Sequence, residues 1–288
     1  MSARRKMAAR LETYGEVRAI LAAIKNMALA ELHRLAGLHE NQRRAMRTVE
    51  RAAADFVAFH PPLESEAALQ ACIVVGSERG FCGEFNAALA QAASARHAHG
   101  ERVLLVGTRL AERAAQLDLA LDSVPGANVT EELAPTIERV LAWLERTQDD
   151  ATGGTTQVSA LLQDPDATRL LQRTLVPLPL PQARTAAAGA QRHGYPPRLT
   201  LPPRRFLRAL ADQALMLSLH EVFSVSLIAE NRRRLAHMEG ALRRLDETTA
   251  VLGRRMHAAR QEEITQEIEV IMLSAQALAE EVSARAAL

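Results

Sequence analysis

From Arg204 to Leu288 the chain contains no proline, and its apolar positions fall at alternating spacings of three and four: Leu235, Met238, Leu242, Leu245, Thr249, Leu252, Met256 and Ala259. That rhythm is a coiled-coil seam. The opening stretch repeats it at Val17, Leu21, Ile24, Ala28, Leu35, Leu38, Gln42, Ala45, Val49, Ala52 and Phe56, and Pro61-Pro62 is expected to end it. Two helices far apart in sequence therefore offer each other a partner. At about 1.5 Å per residue they would extend roughly 80 Å and 120 Å, far more than an ordinary core requires. The expectation is a shaft.

Composition agrees with long helices: 48% of residues are apolar, but only 3% are aromatic. Thirty-five basic residues against 34 acidic ones leave a formal charge of +1, so no global field draws the chain toward nucleic acid or an anionic membrane. The arginine groups Arg4-Arg5-Lys6, Arg43-Arg44, Arg232-Arg233-Arg234, Arg243-Arg244 and Arg254-Arg255 are interleaved with Glu and lack stacking aromatics, which reads as solvated helix surface or contacts to acidic loops of a protein partner. No nucleic-acid partner is expected. Cys72 and Cys82 form no disulfide framework and have no metal-ligand spacing, which fits a reducing cytoplasm. No run of about 18 apolar residues occurs, and MSARRKMAAR lacks a signal-peptide apolar core, so a soluble chain is expected whose first helix begins near its start.

Between about Leu69 and Leu201 the period changes. Ala71–Val75 and Val103–Val106 read as short buried parallel strands, each followed by glycine, with further strands at Val158–Leu162 and Thr174–Val176. Helical patterns lie near Phe85–His97, Arg109–Gln116 and Glu131–Gln148, giving an open three-layer α/β arrangement. Pro177–Pro203, rich in Pro, Gly and Ala, reads as a long surface loop. The expected divisions are 1–60, a first coiled-coil helix; 68–201, an α/β domain; and 203–288, a second coiled-coil helix.

The chemistry-bearing candidates are few. Gly76-Ser77-Glu78-Arg79-Gly80-Phe81-Cys82-Gly83 sits where dinucleotide folds bind pyrophosphate, but it matches neither G-x-G-x-x-G nor a phosphate loop. Its glycines read as a tight strand-to-helix turn that packs closely against a neighbour. No histidine is placed to activate Cys82, which reads as a small core residue. The H-x-H pair His97 and His99 reads as a solvated helix end. No catalytic residue, metal or cofactor is assigned.

The same turn, continued through Glu84-Phe85-Asn86, resembles the S-D-R-G-L-C-G-x-x-N signature of the gamma subunit of rotary ATP synthases. Two further segments carry the resemblance. Ala259-Arg260-Gln261-Glu262-Glu263-Ile264-Thr265-Gln266-Glu267-Ile268 is similar to the family's A-R-Q-x-x-I-T-Q-E-I segment, and Ala23-Ile24-Lys25-Asn26-Met27-Ala28 to its A-M-K-M-V-A segment. The resemblance implies α/β with long helices: an antiparallel coiled coil of the terminal helices with an inserted open, Rossmann-like α/β domain.

It also implies a non-catalytic rotor stalk that couples ion-driven rotation of a membrane c ring to ATP synthesis or hydrolysis on alpha and beta subunits. The implied partners are the alpha/beta hexamer, the epsilon subunit and the c ring, with one copy of this chain per complex. The implied place is peripheral, on the cytoplasmic side of a bacterial cell membrane. Arg260, Gln261 and Thr265 align with positions that contact the surrounding subunits, Lys25 with a lysine of the coupling region, and Gln266 and Glu267 lie beside them. Arg79, Gly80, Cys82 and Gly83 identify the family and are expected to serve the fold. Ile24 and Asn26 replace methionines of the family pattern, Glu31 replaces a lysine, and Leu235–Arg244 carries arginine where relatives carry other polar residues, which suggests a divergent branch. The chain also continues past Leu278, where many relatives end. The rival reading is a structural coiled-coil scaffold.

Overall fold

The two proline-free ends are single helices in the computed structural model: α1 covers Ala3–Val57 and α5 covers Pro203–Ala286. Residues 3–57, 59–60, 67–149, 155–177, 195–196 and 198–286 are described; Pro61-Pro62 and most of the expected loop up to Pro203 lie outside them. Between the helices come β1 (Ala67–Val75), α2 (Ala87–Ala98), β2 (Arg102–Val106), α3 (Thr108–Ala115), β3 (Asp122–Val124), α4 (Leu133–Asp149), β4 (Thr155–Gln163) and β5 (Leu170–Val176). Phe85 falls in the turn before α2, and Glu131 in a short 3-10 turn that precedes α4. The strand β3 was not expected: Asp122-Ser123-Val124 is short, polar and largely exposed, so no hydrophobic pattern marks it.

The chain divides into two compact units, one of residues 1–26 with 238–288 and one of residues 27–237. In the first, the helices run antiparallel. Arg18 pairs with Asp246 at 2.8 Å and Lys25 with Glu239 at 3.0 Å, so one heptad up α1 corresponds to one heptad down α5. Arg4 pairs with Glu263 at 3.2 Å toward the start of α1. Every expected seam residue from Met238 to Ala259 is buried or half-buried, because a repeat of three and four keeps one stripe of a helix facing its partner. Val17 is the exception, 38% exposed; the buried stripe passes through Leu11, Tyr14 and Leu21 instead.

The second unit is built on a five-stranded mixed sheet of order β3-β2-β1-β4-β5, in which β5 is antiparallel to β4 and all other neighbours are parallel. β1 lies at its centre and is buried on both faces. The period of two sends Cys72 and Val74 toward α2 and α3, and Ala71, Ile73 and Val75 toward α4, α1 and α5. Residues 27–57 of α1 contribute Ala28, Leu35, Ala53 and Phe56 to the buried set, and Phe56 stacks on Phe206 of α5 with ring centroids 5.0 Å apart. Here the seam differs from expectation in phase. Ala45 is exposed and Met46 takes its place, and Ala53 is more deeply buried than Ala52, because the step of four precedes the step of three after Gln42.

Glu31 occupies a seam position and is only 5% exposed. Its carboxylate accepts the backbone N–H and the hydroxyl of Thr130, at 2.7 and 2.5 Å, which fixes the entry to α4 against α1. The departure from the family pattern at this position is thus a structural joint within the chain.

Candidate partner-contact site

The signature turn leaves β1 at Gly76 and enters α2 at Ala87, held by an internal network. Asn86 accepts the Ser77 N–H at 3.0 Å through Oδ1 and donates from Nδ2 to the Ser77 hydroxyl at 2.8 Å. The Cys82 thiol donates to the Ser77 hydroxyl oxygen at 3.3 Å; burial pushes its pKa up, leaving a neutral, inert thiol. Cys82 is therefore a core residue, as its surroundings in the sequence suggested.

Close backbone approach explains the glycines next to this turn. Gly107, at φ +116°, opens α3, and a Cβ there would lie 2.7 Å from the Ser77 carbonyl oxygen. A Cβ on Gly76 would lie 2.5 Å from Leu110 Cβ. The crevice above β2 and β3 is closed by Glu78, whose carboxylate accepts the Thr108 N–H at 2.8 Å, the Thr108 hydroxyl at 2.6 Å and the Gly126 N–H at 2.7 Å. Burial pushes this carboxyl up, but those hydrogen bonds outweigh burial and hold it below the usual range. The protein's own carboxylate thus takes up the Thr108 N–H at the N-terminus of α3.

Sequence reading missed a second polar joint. Glu230 and Arg234, one turn apart on α5, form a buried ion pair, 2% and 7% exposed. Arg234 also donates to the Gly80 carbonyl at 3.4 Å and to Asn231 Oδ1 at 3.0 Å, while backbone N–H groups of Arg79 and Glu78 meet the Glu230 carboxylate. Burial pushes the Glu230 carboxyl up to about 7 despite the guanidinium beside it. Arg232 pairs with Asp166, and Arg233 donates to the Thr168 hydroxyl at 3.0 Å. The arginine run read as solvated surface is instead a clamp that ties the signature turn and the β4–β5 hairpin to α5. Of the signature residues, Cys82 is buried, Gly80 half-buried, and Arg79 and Gly83 exposed.

The candidate contact residues lie elsewhere, in the first unit. Arg260, Gln261, Thr265, Gln266 and Glu267 are all exposed on α5. The Thr265 hydroxyl donates back to the Gln261 carbonyl at 3.0 Å, a bond within its own helix. Lys25 differs: its ammonium is engaged by Glu239. From Ile264 to Gln276 every described side chain is exposed, including Ile264, Ile268, Val270, Ile271, Met272 and Leu273 at 46 to 66%. This is an exposed run of large aliphatic side chains on one helix, unpartnered within the described residues of this chain. Its signal in the sequence was present: after a break at 260–263, apolar residues recur at steps of four and three at Ile264, Ile268, Ile271 and Ala275. Among the described residues no helix is long and apolar enough to cross a membrane.

Comparisons with known proteins agree with the fold. A family model described as ATP synthase matches residues 3–278. No curated protein matches. A chain from the rotor of the Euglena gracilis mitochondrial ATP synthase in rotational state 1 is 12% identical, with a TM-score of 0.57 over 91% of this chain and 98% of that chain. A chain from the OSCP/F1/c-ring structure of the same enzyme in rotational state 3 is 13% identical, with a TM-score of 0.62 over 96% and 94%. A chain from the central stalk and c ring of the Tetrahymena thermophila mitochondrial ATP synthase is 16% identical, with a TM-score of 0.53 over 77% and 99%. At these identities the likeness is one of fold.

Proposed function

Since this chain belongs to the gamma-subunit family of ATP synthase, the family of the central stalk, we propose that it is the rotor shaft that couples ion-driven rotation of a c ring to ATP synthesis or hydrolysis on alpha and beta subunits. The observation that carries this reading is the pairing of the helical ends. The antiparallel seam stiffens the shaft up to the Arg4–Glu263 pair, and α5 then continues with an exposed apolar surface suited to a surrounding ring. Arg260, Gln261 and Thr265, with Gln266 and Glu267 beside them, present polar groups to that ring, and Lys25 acts in the coupling region through its pairing with Glu239.

In this reading the chain is non-catalytic and needs no cofactor; the chemistry belongs to its partners. Residues 68–201 form the foot, which rests with an epsilon subunit on the c ring, and residues 1–60 and 203–288 form the coiled coil. One copy serves each complex, peripheral to a bacterial cell membrane on its cytoplasmic side. Coexpression with the neighbouring alpha and beta subunits, followed by purification through a tag on beta, tests the assignment. One copy of this chain per three alpha and three beta is expected; a folded chain that never joins the hexamer contradicts it.

A further inference from the structure

A second feature of the α/β unit is independent of the shaft. The connections through α2 and α3 cover one face of the sheet, whereas the connection from β3 to β4 through α4 covers the other. The winding therefore reverses between β1 and β4, and in open parallel sheets the crevice beyond the carboxyl ends at such a reversal is where ligands bind. Glu78 closes the crevice above β2 and β3, but above β4 it remains open. A cavity of about 450 Å3 lies there, in the size range of small-molecule sites.

Five segments line it, and they bring together groups of unusual complementarity. Arg169 from the β4–β5 hairpin and Arg233 from α5 both border the cavity. Arg169 uses Nε on Asp164 at 2.7 Å and Arg233 uses Nη2 on Thr168 at 3.0 Å, so each is oriented by one bond and keeps further N–H donors. Gln163, 6% exposed at the end of β4, borders the cavity and pins the turn by donating to the Phe85 carbonyl at 2.9 Å. The first turn of α2, at Ala87 and Ala88, forms another wall. Its N-cap residue Asn86 makes no side-chain capping bond, because its amide is spent on Ser77, while the Ala87 N–H already donates to the Glu84 carbonyl at 3.2 Å. Glu84 is the one carboxylate on the lining, and it is exposed at the rim.

We propose that this cavity binds a phosphoryl-bearing small molecule, with the phosphoryl group held between Arg169, Arg233 and the first turn of α2. Charge-assisted bonds to two guanidinium groups provide the recognition, Arg233 half-buried and Arg169 72% exposed at the mouth, and Phe85 and Leu170 offer apolar contact for whatever the phosphoryl group is attached to. Free phosphate and a nucleotide share this chemistry, and the test separates them.

Isothermal titration of the full chain with ADP, inorganic phosphate and adenosine is the experiment. Saturable binding of ADP that exceeds phosphate, with none of adenosine, identifies a nucleotide; equal binding of ADP and phosphate identifies free phosphate. In either case Arg169→Gln and Arg233→Gln weaken affinity about tenfold or more, while Arg113→Gln on α3 leaves it unchanged. Hydrogen exchange on the unaltered chain gives a readout that does not depend on the variants folding: ligand slows exchange at 84–91. No saturable binding at millimolar concentration, adenosine binding as tightly as ADP, or affinity indifferent to both arginines overturns the proposal.

Discussion

Lys25 Nζ lies 3.0 Å from Glu239 Oε1, one heptad from the 2.8 Å pair of Arg18 with Asp246, and the two bridges together set the antiparallel register of the terminal helices. Both are partly exposed, so neither holds much free energy. Lys25→Glu is expected to lower the stability of the free chain by about 1 kcal/mol or less, and the exchange Lys25→Glu with Glu239→Lys to restore it. Denaturant unfolding of the two singles and the double measures this. A double no more stable than the worse single removes the pairing from the account.

The Glu230 carboxyl has its pKa raised by burial from 4.5 to about 7, so the folded state binds a proton that the unfolded state releases between those values. Its contribution is complete below the unfolded value and is lost as pH rises through the folded one. Relative to Glu230→Gln, the unaltered chain should lose stability between about pH 4.5 and pH 7. Thermal unfolding across that range tests it; parallel curves contradict it. Arg234→Ala removes the cation that lowers this pKa, so the carboxyl is expected to stay protonated to higher pH, and the lost hydrogen bonds are expected to cost about 1 to 3 kcal/mol.

Glu78 titrates in the opposite sense. Its hydrogen bonds hold the carboxyl below its ordinary range, so the stability it confers is present above the unfolded pKa and disappears as pH falls through the folded one. Glu78→Ala removes the acceptor for Thr108 and Gly126 and should cost about 2 to 4 kcal/mol at neutral pH. The loss relative to the unaltered chain should narrow in acid. A neutral substitution, or a gap that widens in acid, contradicts the role assigned to the carboxylate.

The seams were legible because they depend only on the spacing of apolar residues, and errors such as Ala45 for Met46 are errors of phase within a helix whose existence was clear. β3 was illegible: three residues, two of them exposed, carry no period, and its place is set by β2 beside it. Nothing in the sequence marks Glu31, Glu78, Glu230 or Arg234 as joints of the fold. Each gains a partner from a segment tens of residues away in sequence: Thr130 for Glu31, Thr108 and Gly126 for Glu78, and the turn at 78–80 for Glu230 and Arg234. The proposed contact residues on α5 are legible through motif alone, since within this chain they show only exposure.

Exposed groups on α5 are expected to matter for assembly and not for folding. Ile268→Asn with Ile271→Asn, or Arg260→Ala with Gln261→Ala, should shift the unfolding free energy of the isolated chain by no more than about 0.5 kcal/mol. The same variants should weaken its retention by alpha and beta subunits or slow ATP hydrolysis by the assembly. Pull-down yield and steady-state turnover give the readout. A large stability loss with undiminished assembly reverses the assignment of that surface.

Rotation itself is the most direct test. With Arg113→Cys as an exposed attachment point on α3, and native Cys72 and Cys82 buried, a bead fixed to this chain in an immobilised assembly with alpha and beta subunits can be watched under ATP. Unidirectional, stepwise turning that stops when ATP is removed is the expected result. ATP hydrolysis with a stationary bead, at the same rate whether or not this chain is present, contradicts the shaft account.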